Sequence, residues 1–274
     1  MRTRLHLIAV LLALAAFALG AITSASAKNG TRPVDVELVL AVDVSYSMDP
    51  EEQRLQREGY FEALRSPLVL EAIRRGIHGK IAVAYVEWAG TASQEIVVDW
   101  TVIETRDDVE RFIAGIHERP PRRFARTSIS GVLDFATRMI LDNDFEGLRQ
   151  VIDVSGDGTN NHGRIVTAAR DDAVAQGIVI NGLPIMLNRN PTTYRDFEEL
   201  DVYYTDCVIG GPGAFMVPIR ERSQFPEATR TKLILEIAGL PVPRDDARIV
   251  PVQLKEPRVS CTIGERLWQE RWGN

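Results

Sequence analysis

Apolar runs of strand length alternate along the chain with stretches whose apolar residues recur at helical spacing. That alternation predicts a largely parallel sheet covered by helices on both faces. Residues 36–42 read as a buried central strand. Residues 50–64 follow as an amphipathic helix, with Asp49 as N-cap and Glu51 and Glu52 in the first turn, where carboxylates suit the exposed N–H groups. Residues 80–88 and 94–100 are rich in β-formers and only the turn 89–93 separates them, so they are expected to form an antiparallel hairpin. Helices are expected at 106–117, 128–141 and 165–176, the last closed by Gly177, and strands at 149–154 and 178–183. Further on, the pattern predicts a short helix at 194–200, a strand at 202–208, a loop at 210–213 and an extended piece at 214–219. A helix at 227–238, stopped by Gly239 and Pro241, precedes a linker-like 241–246. The tail has an extended stretch at 247–254 and a short helix bearing Trp268 and Trp272.

Residues 1–27 stand apart from this pattern. Arg2 and Arg4 precede the apolar run 5–22, and Ala25-Ser26-Ala27 is a small-residue cleavage signal. This is the layout of a secretory signal peptide cut after Ala27, rather than of a retained anchor. No later stretch approaches the roughly 18 apolar residues of a membrane span. The expectation is an exported protein, periplasmic or secreted, with residues 28–274 forming a single α/β domain and a C-terminal extension from about 241. Without the leader, 30 basic residues face 38 acidic ones, a balance of −8. An acidic surface argues against nucleic acid and against anionic membrane faces. In an oxidising compartment the only two cysteines, Cys207 and Cys261, are expected to form a disulfide tying the tail to the domain, the other reading being two buried thiols.

The candidate chemistry lies at strand ends. Asp43, Ser45 and Ser47 follow the first strand as D-x-S-x-S, Asp157 follows the 149–154 strand, and Thr127 sits just before the helix at 128–141. In an open parallel sheet, ligands gather outside the carboxyl ends of the strands. Three segments therefore deliver oxygen groups to one edge, and carboxylate and hydroxyl oxygens suit a hard divalent cation.

This constellation resembles that of a von Willebrand factor type A (VWA) domain carrying a metal-ion-dependent adhesion site. The resemblance covers most of residues 34–240 and implies a doubly wound, Rossmann-like fold, mostly parallel with one antiparallel edge hairpin. It also implies that Asp43, Ser45 and Ser47 in a first loop, Thr127 in a second and Asp157 in a third surround Mg²⁺, Mn²⁺ or Ca²⁺. More narrowly, the chain is similar to exported bacterial VWA-like proteins grouped only as a domain of unknown function, a grouping that implies no activity. Two positions depart from the VWA pattern. Ala125-Arg126 stands where Gly-Gly usually precedes the second-loop Thr, and Gly156 precedes Asp157 where the third loop commonly reads Thr-Asp-Gly. Asp153-Val154-Ser155 echoes Asp43-Val44-Ser45, but Asp153 falls inside an apolar strand, so its side chain is expected on a sheet face and Asp157 in the cleft.

The expected function is cation-dependent binding of a partner protein's Asp or Glu carboxylate. A metal-dependent hydrolase and a scaffold with an empty site are the alternatives. Catalysis needs an oriented base or nucleophile, and the sequence offers none. His78, His117 and His162 are scattered without zinc-site spacing. His162 follows Asp157 closely and reads foremost as a polar loop residue. Ser45 occupies the position where a haloacid-dehalogenase-type phosphatase needs a second carboxylate, and neither a P-loop nor a G-x-S-x-G elbow is present. Arg119, Arg122, Arg123 and Arg126 form a basic loop that either steers an acidic partner or is a solvated surface. Trp268 and Trp272, at i and i+4, share a face and are expected to cover core.

Overall fold

The computed structural model describes residues 31–187, 197–239, 249–251 and 257–272. The predicted leader and the linker at 241–246 lie outside the described residues, as do parts of the predicted elements at 194–200 and 247–254. The first strand, β1 (Arg32–Asp43), is flanked by two parallel neighbours, β2 (Ile81–Trp88) and β4 (Phe145–Gly156). β3 (Gln94–Ile103) pairs antiparallel with β2 at the edge, as the hairpin pattern predicts. Beyond β4 come β5 (Val179–Pro184), β6 (Phe215–Met216) and β7 (Val250–Pro251), the last antiparallel to β6. The order β3-β2-β1-β4-β5-β6-β7 reverses direction between β1 and β4. That reversal opens a crevice at the carboxyl ends of these two strands.

Side-chain alternation along β1 builds both cores. Val36, Leu38, Leu40 and Val42 face α1 (Pro50–Arg65), α2 (Pro67–Arg74), α3 (Arg106–His117) and α7 (Phe225–Ala238). Val39 and Ala41 face the other way, toward α4 (Ile129–Leu141) and α5 (Val166–Ala175). A strand period of two explains this split, and burial on both faces explains why β1 reads as a nearly continuous apolar run. Asp49 caps α1 as expected: its side chain accepts the Glu52 N–H at 2.8 Å while Glu52 accepts the Asp49 N–H at 2.9 Å. α7 ends at Gly239, whose φ of 61° supplies the left-handed turn.

Two elements differ from the sequence reading. α2 was not predicted, although Pro67 at its start and Val69, Leu70 and Ile73 on its buried face mark it. The predicted strand at 202–208 is instead helical, a short α6 (Leu200–Tyr203) running into a π-helical turn (Tyr204–Val208). Its β-branched and aromatic residues favour a strand, but Tyr203, Tyr204, Cys207 and Val208 all reach one core, which needs helical spacing. Among the described residues no helix is long and apolar enough to cross a membrane.

Candidate functional site

The first loop is shaped by its own Asp. Asp43 ends β1 fully buried, and its Oδ1 accepts the Ser45 backbone N–H at 2.7 Å, turning the chain at the sheet edge. Ser45 Oγ and Ser47 Oγ lie 2.7 Å apart, and Ser47 Oγ donates to Asp157 Oδ1 at 2.6 Å. The first loop is therefore stitched to the third through two hydroxyls. It is joined to the second by backbone: Tyr46 N–H donates to the Phe124 carbonyl at 2.8 Å and Phe124 N–H to the Val44 carbonyl at 3.0 Å.

Thr127 is buried at the cleft floor, one residue before Ser128, the N-cap of α4. Its backbone is held by Asn161, whose Oδ1 accepts the Thr127 N–H at 3.0 Å and whose N–H donates to the Thr127 carbonyl at 2.9 Å. Asn160 Oδ1 accepts the Ser130 N–H at 2.9 Å. These two asparagines lock the third loop onto the second. The sequence reading missed both, although an Asn-Asn pair in a polar loop suits such backbone-mimicking bonds. His162 is turned aside, its Nδ1 facing the Thr91 N–H at 3.2 Å. Asp153 lies on the sheet face beneath α7, 2.6 Å from Lys232 Nζ, away from the cleft.

The structure thus brings Asp43, Ser45, Ser47, Thr127 and Asp157 to one sheet edge. Among the described residues no three His, Cys, Asp or Glu side chains gather as a metal group. Two acids and three hydroxyls make up this donor set, the oxygen chemistry of a hard cation with water completing its shell. Asp43 Oδ2 is buried without a hydrogen-bond donor, and burial pushes the Asp43 carboxyl up to about 7. A carboxylate so desolvated is stabilised by a positive charge placed beside it, so these residues fit a divalent cation. Behind it, a Cβ on Gly156 would meet Asp43 Oδ2 at 2.8 Å and the Tyr204 hydroxyl at 3.1 Å. G156A is therefore expected to displace the Asp43 carboxylate and weaken Mn²⁺ binding in calorimetry by about 10-fold or more, an outer-shell effect.

The family described as "Protein of unknown function (DUF1194)" matches residues 33–241. The chain belongs to this family. Among solved structures, the pilus adhesin SpaC of Lactobacillus rhamnosus GG superposes with TM-score 0.58 at 11% identity, covering 74% of this chain and 31% of SpaC. A von Willebrand factor type A protein of Catenulispora acidiphila gives 0.51 at 13% identity, covering 80% and 54%. Proximal thread matrix protein 1 from the mussel byssus, solved with a zinc-occupied MIDAS motif, gives 0.50 at 16% identity, covering 76% and 49%. This chain spans about a third to a half of the length of these structures. At such identities the likeness is one of fold, and the fold is VWA-like. No curated protein matches the chain.

The two departures of this DUF1194 chain from the VWA pattern have local causes. Arg126, where Gly is usual, is the one non-glycine residue among those described with positive φ, 74°. That backbone costs about 1 kcal/mol for a residue with a Cβ. Its guanidinium lies 3.3 Å from the Trp268 ring centroid, a close cation–π stack. Gly156 replaces a larger residue where Tyr204 reaches up from the π-turn. Sequence offered no signal for Tyr204, since its segment reads as a strand.

A C-terminal helix forms one wall of the cleft. α8 (Ile263–Trp272) carries Gly264, Leu267, Trp268, Arg271 and Trp272 beside Ser45, Ser47 and Thr127, around a cavity of about 300 Å³. The Cys207–Cys261 disulfide anchors its start to the π-turn. Asn160 Nδ2 donates to Glu265 Oε1 at 2.7 Å, and Arg258 pairs with Asp206 at 2.8 Å. The expectation that Trp268 and Trp272 cover core is overturned: they share a face, but Trp272 is 63% exposed and both line the cleft. The packing of Gly264 on the third loop turns that face toward the site.

Proposed function

We propose that this chain is an exported VWA-type binding module that holds a divalent cation at Asp43, Ser45, Ser47, Thr127 and Asp157 and through it captures an acidic group of a partner protein. Mg²⁺ is the cation best suited to a few carboxylates and retained water, with Mn²⁺ or Ca²⁺ as substitutes. The carrying observation is the convergence of these five side chains from three loops, with a buried Asp43 oxygen that no donor satisfies. Only two of the five groups carry charge, so the ion keeps positive character toward an incoming carboxylate. The adhesin and byssus-matrix proteins that share the fold support a role in binding.

Calorimetry with MgCl₂ and MnCl₂ tests this directly. The wild type is expected to bind either ion, and D43A to lose affinity by more than the roughly 10–100-fold that an outer-shell change costs. Unchanged binding by D43A would sink the proposal, and phosphoester or peptide turnover lost in D43A would replace it with a hydrolase.

A further inference from the structure

The basic loop beside the site is not uniformly available to a partner. Arg119 and Arg122 both pair with Glu95, at 3.6 and 2.6 Å. Arg123 donates to the Tyr46 carbonyl at 2.8 Å. Arg126 has no acidic partner among the described residues, and its guanidinium lies over the Trp268 ring inside the cleft. A stacked guanidinium keeps its N–H edge free for a carboxylate. Held in a left-handed backbone conformation immediately before Thr127, it lines the same cleft as the candidate cation loops.

Around this charge the surface is apolar. Nine large apolar side chains are exposed among the described residues, and Tyr46, Leu267 and Trp272 all line this one cleft. Clustered exposed apolar groups with polar neighbours mark an interaction site. The wall is also preorganised. A Cβ on Gly264 would meet the Asn160 carbonyl at 2.1 Å, so α8 rests directly on the third loop, and the disulfide holds its start. A wall fixed in advance loses little entropy when a partner docks.

We infer that the cleft between the cation loops and α8 is a docking groove for a peptide segment carrying an Asp or Glu directly beside a large apolar residue. The acid is recognised at the cation loops with Arg126, and the apolar neighbour packs on Trp272, Leu267 and Tyr46. Charge complementarity selects this occupant: the groove sets Arg126 and the cation loops directly beside the apolar side chains of Tyr46, Leu267 and Trp272. The acidic half of this inference rests on the cation-binding reading proposed above, whereas the apolar half rests on the exposed side chains of α8 and Tyr46.

The test is selection of displayed random peptides on the wild-type protein in MnCl₂, with elution by EDTA. Enriched sequences are expected to place Asp or Glu next to Phe, Trp or Leu. A synthetic Asp-Phe peptide is then expected to bind about 10-fold tighter than its Asp-Gly counterpart. W268A/W272A, checked for native circular dichroism, is expected to erase that preference while Mn²⁺ affinity stays at the wild-type level. R126A is expected to weaken both peptides equally. Enrichment of acids with no apolar neighbour, or equal affinity for the two peptides, would overturn the groove and leave the cation site standing. Absence of both Mn²⁺ heat and EDTA-eluted peptides would overturn the cation reading and the groove with it. Dimerisation in ultracentrifugation that W268A/W272A abolishes would assign the face to a second copy instead.

Discussion

K232M is expected to unfold at a lower denaturant concentration, losing about 3–5 kcal/mol near neutral pH, because it strands two buried carboxyl groups. Lys232, Asp153 and Glu236 are all buried, between α7 and the sheet. Lys232 Nζ is 2.6 Å from Asp153 Oδ1 and also contacts Glu236 Oε1 closely. Tyr60 donates to Asp153 Oδ2 at 3.2 Å, and Asn181 Nδ2 donates to Glu236 Oε1 at 3.0 Å. One ammonium thus serves two acids. Burial, and then the Asp153 charge, push the Glu236 carboxyl up to about 7. Its native form binds more protons than the unfolded chain between pH 4.5 and about 7, so its contribution to stability falls as pH rises through that window.

Methionine fills a similar volume but carries no charge. Without Lys232 the Glu236 carboxyl must be neutral to remain buried, and the cost of protonating it grows by up to about 1.4 kcal/mol per pH unit above its unfolded value. The deficit of K232M in urea melts is therefore expected to be larger at pH 8 than at pH 5. K232M/D153N/E236Q should recover much of the loss, since the amides still accept from Tyr60 and Asn181 without charge. Equal deficits at both pH values would show that lost packing, not stranded charge, sets the cost.

The second large effect is expected on removing the disulfide. C207A/C261A is expected to lose about 4 kcal/mol, from the loop-closure entropy of a 54-residue separation, and to melt about 10 °C lower. The loss has a functional side. Cys207 follows Tyr204 in the π-turn, and Cys261 lies just before α8. Cutting the bridge frees the cleft wall, while Asp43, Ser45 and Ser47 stay on β1 and its loop. Mn²⁺ affinity of the double variant is expected to persist below its melting temperature, and the peptide preference to disappear. Thermal melts with and without reductant, read beside calorimetry, check both halves.

The parts of this protein that sequence made legible are those written in local chemistry. The run ending at Asp43 carries a strand signal and a turn signal within a few residues, and Asp49 with Glu52 spells a capping box. The buried Asp153 could be placed on a sheet face because it interrupts an apolar strand rather than following one. The sequence did not reveal its countercharge, Lys232, which stands 79 positions away on a helix whose apolar pattern is weak. Tyr203 and Tyr204 misled for a related reason. Their intrinsic preference is for a strand, and only the shape of the core around them makes a helix the better fit.

What the sequence alone made readable is the alternation of strands and helices, the strand ends where oxygen-bearing residues collect, and the expected pairing of the two cysteines. These follow from periodicities and turn chemistry that act over a few residues. Only the folded chain sets α8 beside those strand ends, turns Trp268 and Trp272 toward a cleft, and lays Arg126 over Trp268 while Arg119 and Arg122 pair with Glu95. The packing of Gly264 on Asn160 and of Arg126 on Trp268 joins segments more than a hundred residues apart. Such contacts are selected by the close fit of Gly264 on the third loop and by one disulfide, and neither leaves a periodic trace in the chain.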